Sequence, residues 1–387
     1  MSHDEEVRRF RRTLEGLIGT PATEGNAVDV LRNGDEIFPS MLDAIRAAER
    51  TVDFMTFVYW TGDIARAFAD ALTERARAGV RVRILLDAVG ARLMDEDLVA
   101  ELEESGAIVD WFRPPTTWKV WEANHRTHRK ILVCDEEVGF TGGVGIAQEW
   151  CGDARDETEW RDTHLRVRGP AVDGLRAAFT SDWAEAGNPL CDERDLFPDQ
   201  PDVGDVVVQV VTGSAGAGWS DIGTLFDAII RTARRTIRLT TAYFVPDERY
   251  AAALREAVER GVDVHVLVPG PHADKRVVQI VGEEEYEPML DAGVRISCFQ
   301  PTMLHAKVLT ADGIVSTVGS ANFNHRSLGL DDEANIVMLD PEITGLLDGQ
   351  FDEDLERSVG LDPDRWRDRS VVQKVSEKAA SALENHM

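Results

Sequence analysis

Lysine is scarce in this 387-residue sequence: six lysines stand beside 36 arginines. Positive charge as a whole is in deficit, with 42 basic against 70 acidic residues and a formal net charge of −28. Binding a phosphate backbone needs a basic footprint, so this balance argues against a nucleic-acid partner. Cysteine is sparse too. Cys134, Cys151, Cys191 and Cys298 form no CxxC pair and no zinc-ligand spacing. They read as reduced thiols, with Cys134 inside the apolar run ILVC. No uncharged apolar run approaches the roughly 18–20 residues that a helix needs to span a bilayer. The opening MSHDEEVRRF has acids where a secretory signal has a basic start and an apolar core. These absences point to a cytoplasmic globular chain that is not integral to a membrane.

What the sequence does contain is a duplication. ALTERARAGVRVRILLDAVG at 71–90 matches ALREAVERGVDVHVLVPGPH at 253–272. Each is an amphipathic helix, a glycine that ends it (Gly79, Gly261) and an apolar strand. Before this unit lie the helix-to-strand segments 44–60 and 228–244, and after it come 101–112 and 289–299, again helix, glycine, strand. This order predicts an α/β fold of two layered repeats packed as a pseudo-dimer within one chain. The boundaries fall at 1–24 for an N-terminal amphipathic helix, 25–194 for the first repeat, 195–205 for a Pro- and Asp-rich linker, 206–360 for the second repeat and 361–387 for a polar C-terminal helix.

Each repeat then carries one chemical motif. The first reads HRKILVCD, with His128, Lys130 and Asp135, followed by Gly142 and Gly143. The second reads HAKVLTAD, with His305, Lys307 and Asp312, followed by Gly319, Ser320 and Asn322. The spacing H-x-K-x4-D-x6-G-[GS] is the same in both. Residues i and i+2 of a strand share a face, so each His and Lys should project together into one site. The Asp falls at the strand end, where it fixes the turn, and the small residues beyond it let backbone amides approach an anion. A single copy would be a weak signal. Two copies in register with a duplication, using two of only six lysines, are a strong one.

These motifs resemble those of the phospholipase D superfamily. The flanking segments NHRTHRKILVCDEEVGFTGGVGIAQEW, WRDTHLRVRGPAV, TTAYFVPD, LHAKVLTADG and VGSANFNHRS are similar to bacterial cardiolipin synthases, over roughly residues 25–360. The sequence departs from that pattern at Gly145, where the family often has Asn, and in showing none of the N-terminal membrane helices that many members carry. The resemblance implies two phospholipase D-like α/β/α repeats with one active site at their interface. It implies His128 as the nucleophile and His305 as general acid and then general base, with Lys130 and Lys307 holding the phosphoryl oxygens. It also implies carboxylates that orient the imidazoles in a crossed arrangement, Glu333 to His128 and Asp162 to His305. No metal or cofactor is needed for this chemistry. His125 and His325 lack a lysine partner and read as structural or rim residues.

The expected reaction is phosphatidyl transfer on a phospholipid, namely cardiolipin formation from two phosphatidylglycerols with release of glycerol. The alternatives are hydrolysis with water as acceptor, a nuclease of the same superfamily, which the acidic charge disfavours, and a lipid-binding pseudoenzyme, which the complete set of motif His and Lys disfavours. Two segments offer a route to the membrane surface. One is the helix at 4–18, whose stripe of Val7, Phe10, Leu14, Leu17 and Ile18 lies opposite Arg8, Arg9, Arg11 and Arg12; docking of that stripe on the domain is the competing reading. The other is the insertion before the first motif, with Trp118, Val120 and Trp121.

Overall fold

The computed structural model describes residues 3–114, 125–190, 197–214, 220–275, 282–283 and 286–367. The paired helix and strand patterns of the sequence appear as the helices Asn33–Ala47, Asp63–Arg77 and Glu96–Glu104, leading into the strands Thr51–Thr56, Arg81–Asp87 and Ile108–Phe112. In the second half the helices Asp221–Thr232, Glu248–Glu259 and Tyr286–Ala292 lead into Thr236–Thr240, Asp263–Pro269 and Arg295–Phe299. Gly79 and Gly261 end their helices at φ +90° and +88°, a conformation that a residue with a Cβ adopts only under strain.

Each half contributes seven strands in the same spatial order. From the outer edge inward the first half runs Ile108–Phe112, Arg81–Asp87, Thr51–Thr56, Ile131–Cys134, Val138–Gly142, Thr163–Arg168 and Thr23–Arg32. The second runs Arg295–Phe299, Asp263–Pro269, Thr236–Thr240, Val308–Ala311, Val315–Gly319, Glu333–Met338 and Val206–Gly213. The innermost strands, Thr23–Arg32 and Val206–Gly213, pair antiparallel, so the two halves form one continuous sheet. A short strand, Ser358–Gly360, extends the second half's outer edge.

Among the described residues, three large cores and a small one around Leu267, Phe299, Leu304 and Phe351 hold this arrangement. Phe54, Ile84 and Leu132 pack under Ile37, Phe68 and Leu98 in the first half, and Ile237, Val264 and Leu309 pack under Leu225, Leu254 and Met289 in the second. A third core joins the halves: Met55, Ile131, Val133 and Leu165 meet Val318, Ala334, Ile336 and Met338, closed by Leu175, Phe179 and Leu347 from the helices Val172–Glu185 and Pro341–Glu356. The two motifs therefore approach each other because the strands that follow them share one hydrophobic interior.

The N-terminal helix, His3–Ile18, docks on the second half. Phe10 and Leu14 are buried in its core, and Val7 and Ile18 pack against it. Its polar side is also engaged: Glu6 binds Arg235 at 2.7 Å, Arg9 lies 3.4 Å from Asp312, and Arg11 binds Glu15 at 3.0 Å and Glu24 at 2.6 Å. Of the two readings of the apolar stripe, docking on the domain is the one this packing matches, and only Leu17 of the stripe remains exposed. Phe10→Ala should cost about 3–5 kcal/mol of unfolding free energy in urea titration. Leu17→Glu should change it by less than about 0.5 kcal/mol.

The linker residues 197–205 form no helix or strand and are pinned to the first half. Val203 N donates to Gly25 O (2.8 Å), and Gln200 Nε2 donates to Glu136 O (2.8 Å). Of the expected C-terminal helix the structure describes Pro363–Arg367. The remainder of that helix, Cys191, and the insertion with Trp118, Val120 and Trp121 lie outside the described residues.

Candidate active site

Both motif strands begin just after the lysines, at Ile131 and Val308. His128, Lys130, His305 and Lys307 therefore lie on the lead-in to each strand, not within it. Each lead-in crosses to the other half. His128 N donates to Asp332 O (2.8 Å) and Asp332 N to Arg126 O (2.8 Å), around a parallel bridge between Thr127 and Asp332. The mirror-related set is His305 N to Arg161 O (2.7 Å) and Arg161 N to Met303 O (2.9 Å), around a bridge between Leu304 and Arg161. Each histidine consequently sits beside the residue that follows Asp332 or Arg161, which is a carboxylate in both cases. This backbone pairing produces the crossed geometry. His128 Nδ1 lies 3.0 and 3.1 Å from the Glu333 carboxylate oxygens, and His305 Nδ1 lies 2.8 Å from Asp162 Oδ2. A carboxylate only accepts, so both imidazoles carry their proton on Nδ1 and present Nε2 as a free base.

The carboxylates are themselves held. Asp162 also accepts from the Trp150 indole (2.8 Å) and from Thr163 N (2.8 Å), and Glu333 accepts from the Ser320 hydroxyl. Buried arginine pairs brace the backbone beneath: Arg129 with Asp182 (2.6 Å), Arg161 with Asp354 (2.9 Å) and Arg126 with Asp87 (2.9 Å). These pairs account for part of the preference for arginine, whose planar fork suits buried carboxylates better than an ammonium does. Lys130 donates to the His128 carbonyl (2.7 Å), and Lys307 Nζ lies 3.1 Å from His305 Nε2. Aromatic rings wall the site. Phe57 stands 5.1 Å from the His128 ring, while Trp150 (5.1 Å), Trp160 (5.6 Å) and Tyr243 (6.5 Å) surround His305.

Burial dominates the electrostatics. It lowers His128 to about 3 against the pull of Glu333, and lowers His305 to about 4, with Lys307 adding to the effect. Burial also lowers Lys130 to about 8 and Lys307 to about 7, although Glu333 and Asp162 favour their charged forms. Burial acts to raise both carboxylates, but the facing histidines and lysines outweigh it: Asp162 falls to about 2, and Glu333 also lies below its ordinary value. The site at rest thus holds neutral imidazoles, ionised acceptors and two lysines whose charge is easily lost.

Not every residue of the motifs reaches this site. Asp135 accepts from the amides of Glu49 (2.8 Å), Arg50 (2.7 Å) and Thr51 (2.8 Å). Asp312 does the same with Arg234 (3.0 Å), Arg235 (2.7 Å) and Thr236 (3.1 Å). Both aspartates tie the far end of their strand to the preceding helix-to-strand corner, away from the histidines, so they do not belong with the reacting groups. The small-residue turns also differ from the expected anion cradle. Gly143 N donates to Thr163 O (3.3 Å) and Ser320 N to Ala334 O (3.0 Å), so these amides serve the sheet. The need for Gly142 and Gly143 is steric: a Cβ at 143 would lie 2.2 Å from Asp162 Oδ1, and one at 142 would lie 2.6 Å from Thr163 O. Asn322 is buried with its side-chain oxygen unbonded, and Gly145 packs on Val58 and Trp150. His125 binds Leu330 O through Nδ1 (2.9 Å), bridging the halves outside the catalytic set. The sequence did not single out Trp150, Trp160, Phe57 or Tyr243; the first two flank Asp162 closely enough in sequence to have been suspected.

The duplicated architecture is that of the phospholipase D-like α/β proteins. It superimposes on the phosphatidylserine synthase of Haemophilus influenzae with a TM-score of 0.71 over 97% of both chains, at 12% identity. More narrowly, residues 41–183 and 226–355 match the family described as cardiolipin synthase, PLD-like domain, and the chain belongs to that family. It is 33% identical to cardiolipin synthase 2 of Bacillus anthracis, covering 98% of this chain and 74% of that one. It is 32% identical to cardiolipin synthase A of Pseudomonas aeruginosa, covering 95% and 75%. A probable cardiolipin synthase of Bacillus subtilis is 31% identical, covering 97% and 75%.

Proposed function

We propose that the protein is a phosphatidyltransferase that joins two phosphatidylglycerols into cardiolipin and releases glycerol, by way of a phosphohistidine. The observation that carries this reading is the crossed pair of imidazole–carboxylate dyads flanked by two buried lysines. His128 Nε2 attacks phosphorus, and the bond from phosphorus to the headgroup oxygen of the first lipid breaks. His305, protonated once the phosphodiester anion occupies the site, gives its Nε2 proton to the departing glycerol. A primary hydroxyl of the second phosphatidylglycerol then returns a proton to His305 and attacks phosphorus, and the P–N bond to His128 breaks. Lys130 and Lys307 hold the non-bridging oxygens, whose charge grows in each transition state. Membrane contact is peripheral in this reading; no helix among the described residues is long and apolar enough to cross a bilayer.

Incubating the purified protein with phosphatidylglycerol vesicles tests the proposal. Cardiolipin and glycerol should appear in equal amounts. Phosphatidic acid as the main lipid product would assign hydrolysis with water as acceptor instead.

The lysines also predict a pH dependence. Each has its pKa lowered, so its charged form predominates only below about 7 for Lys307 and about 8 for Lys130. The kcat/KM for a phosphodiester should therefore fall as pH rises through that range. Lys307→Arg should lower the rate but move the alkaline limb upward, since a guanidinium keeps its charge. An alkaline limb near the ordinary lysine value in the unaltered protein would contradict this electrostatic account.

A further inference from the structure

The strands Thr51–Thr56, Arg81–Asp87 and Ile108–Phe112 run parallel, and His128 lies beside their C-terminal ends. The loop 88–95 leaves the sheet at that same end. Its base is rigid. Asp87 Oδ1 accepts from Val89 N (2.9 Å) and Gly90 N (3.0 Å), while the same carboxylate binds Arg126 (2.9 Å) and accepts from Thr127 N (3.2 Å), the residue before His128. Trp60 Nε1 donates to Gly90 O at 2.9 Å. Gly90 packs so tightly on Phe57 that an added Cβ would lie 2.2 Å from the Phe57 carbonyl, and the Phe57 ring in turn packs on His128. One residue layer thus separates the loop from the site.

Ala91 and Met94 point inward and are buried, whereas Val89 and Leu93 are 41% and 52% exposed, with Arg92 exposed between them. Two large apolar side chains are thus held about half in water by a braced loop beside a buried site. We propose that Val89 and Leu93 form an apolar wedge that enters the lipid surface and sets the site mouth at headgroup depth. This rests on the phospholipid reading above: acyl chains stay in the bilayer while the phosphodiester is processed, so the rim of the site must meet the bilayer. The wedge works through apolar contact and not through charge. The chain carries a net charge of −28, and Asp95, Glu96 and Asp97 follow the wedge directly, so an anionic surface repels it.

The test compares the full chain with a Val89→Ser/Leu93→Ser double variant on mixed phosphatidylglycerol and phosphatidylcholine vesicles. Vesicle partitioning of the variant should fall at least about tenfold. Its turnover of a monomeric short-chain phosphatidylglycerol should stay within about twofold of the parent, since the wedge touches no reacting group. Added salt should not weaken binding of the parent, because screening relieves repulsion. Leu17→Ser, an exposed apolar residue on the remote N-terminal helix, should bind vesicles as the parent does. Unchanged partitioning of the double variant, loss caused by Leu17→Ser, or binding abolished by salt would each overturn the wedge. Should the double variant also lose monomeric turnover, a polarity-sensitive dye on Leu93→Cys, with Cys151, Cys191 and Cys298 changed to Ser, decides the matter. Quenching of the dye by brominated acyl chains supports insertion, and its absence refutes it. A parent that binds vesicles yet turns over no phosphatidylglycerol in either form would sink the proposed chemistry and leave the wedge standing.

Discussion

Alanine at either His128 or His305 should abolish phosphatidyl transfer, with kcat reduced by at least about 100-fold in each single variant. The two imidazoles belong to different halves, yet their carboxylates are exchanged: Glu333 of the second half orients His128, and Asp162 of the first orients His305. Neither half can therefore form a complete dyad alone. The losses should also be strongly non-additive, with the double variant little slower than the worse single one, because nucleophile and acid–base act in one sequence of steps. Steady-state assays on monomeric phosphatidylglycerol check this. A single variant that kept a tenth of the parent rate would mean that the halves work as separate sites.

The second large effect should come from a residue that touches no substrate. Gly143→Ser puts into the first half the side chain that the second half tolerates at Ser320. The outcome should nonetheless be a loss of about 100-fold in kcat, with little change in KM. The reason is the length of the partner acid. Glu333 reaches His128 with one more methylene, which leaves room for the Ser320 hydroxyl to bond it. Asp162 is shorter and sits against the turn, where a Cβ at 143 would lie 2.2 Å from Oδ1 and 2.7 Å from Oδ2. The carboxylate must shift, and His305 loses its orienting acceptor. A near-parental rate for Gly143→Ser would show that the Asp162–His305 contact does not matter to turnover.

Much of this site was readable from residue identity and spacing. The repeated H-x-K-x4-D-x6-G-[GS] pattern places both histidines and lysines, whereas Asp162 and Glu333, which lie 34 and 28 residues after their histidines, were indicated by the family resemblance and not by spacing. The helix, glycine and strand units were visible because amphipathic periodicity and a left-handed glycine are local signals. Contacts made across long sequence separations were not. The pairing of Thr23–Arg32 with Val206–Gly213, which fuses the sheets, leaves no mark in either strand. The Arg129–Asp182 pair, 53 residues apart, depends on tertiary placement alone. The N-terminal helix shows the opposite difficulty. Its stripe and basic face fit a membrane surface as well as a protein surface in pattern, and the buried Phe10 and Leu14 match the docking reading. The Gly142-Gly143 turn was read as an anion cradle because glycine permits many roles; here it is the absent Cβ that counts, not a free amide.

The most direct test of the account is to find the covalent residue. The protein is mixed briefly with phosphatidylglycerol, quenched at alkaline pH to preserve phosphohistidine, and mapped by peptide mass. The adduct should lie on His128, in the peptide containing residues 128–130. His305→Ala, given a substrate whose leaving group needs no proton, should form the same adduct and then stall, because no base remains to activate the acceptor. An adduct on His305 in the unaltered protein, or turnover with no phosphohistidine at all, would contradict the assigned roles.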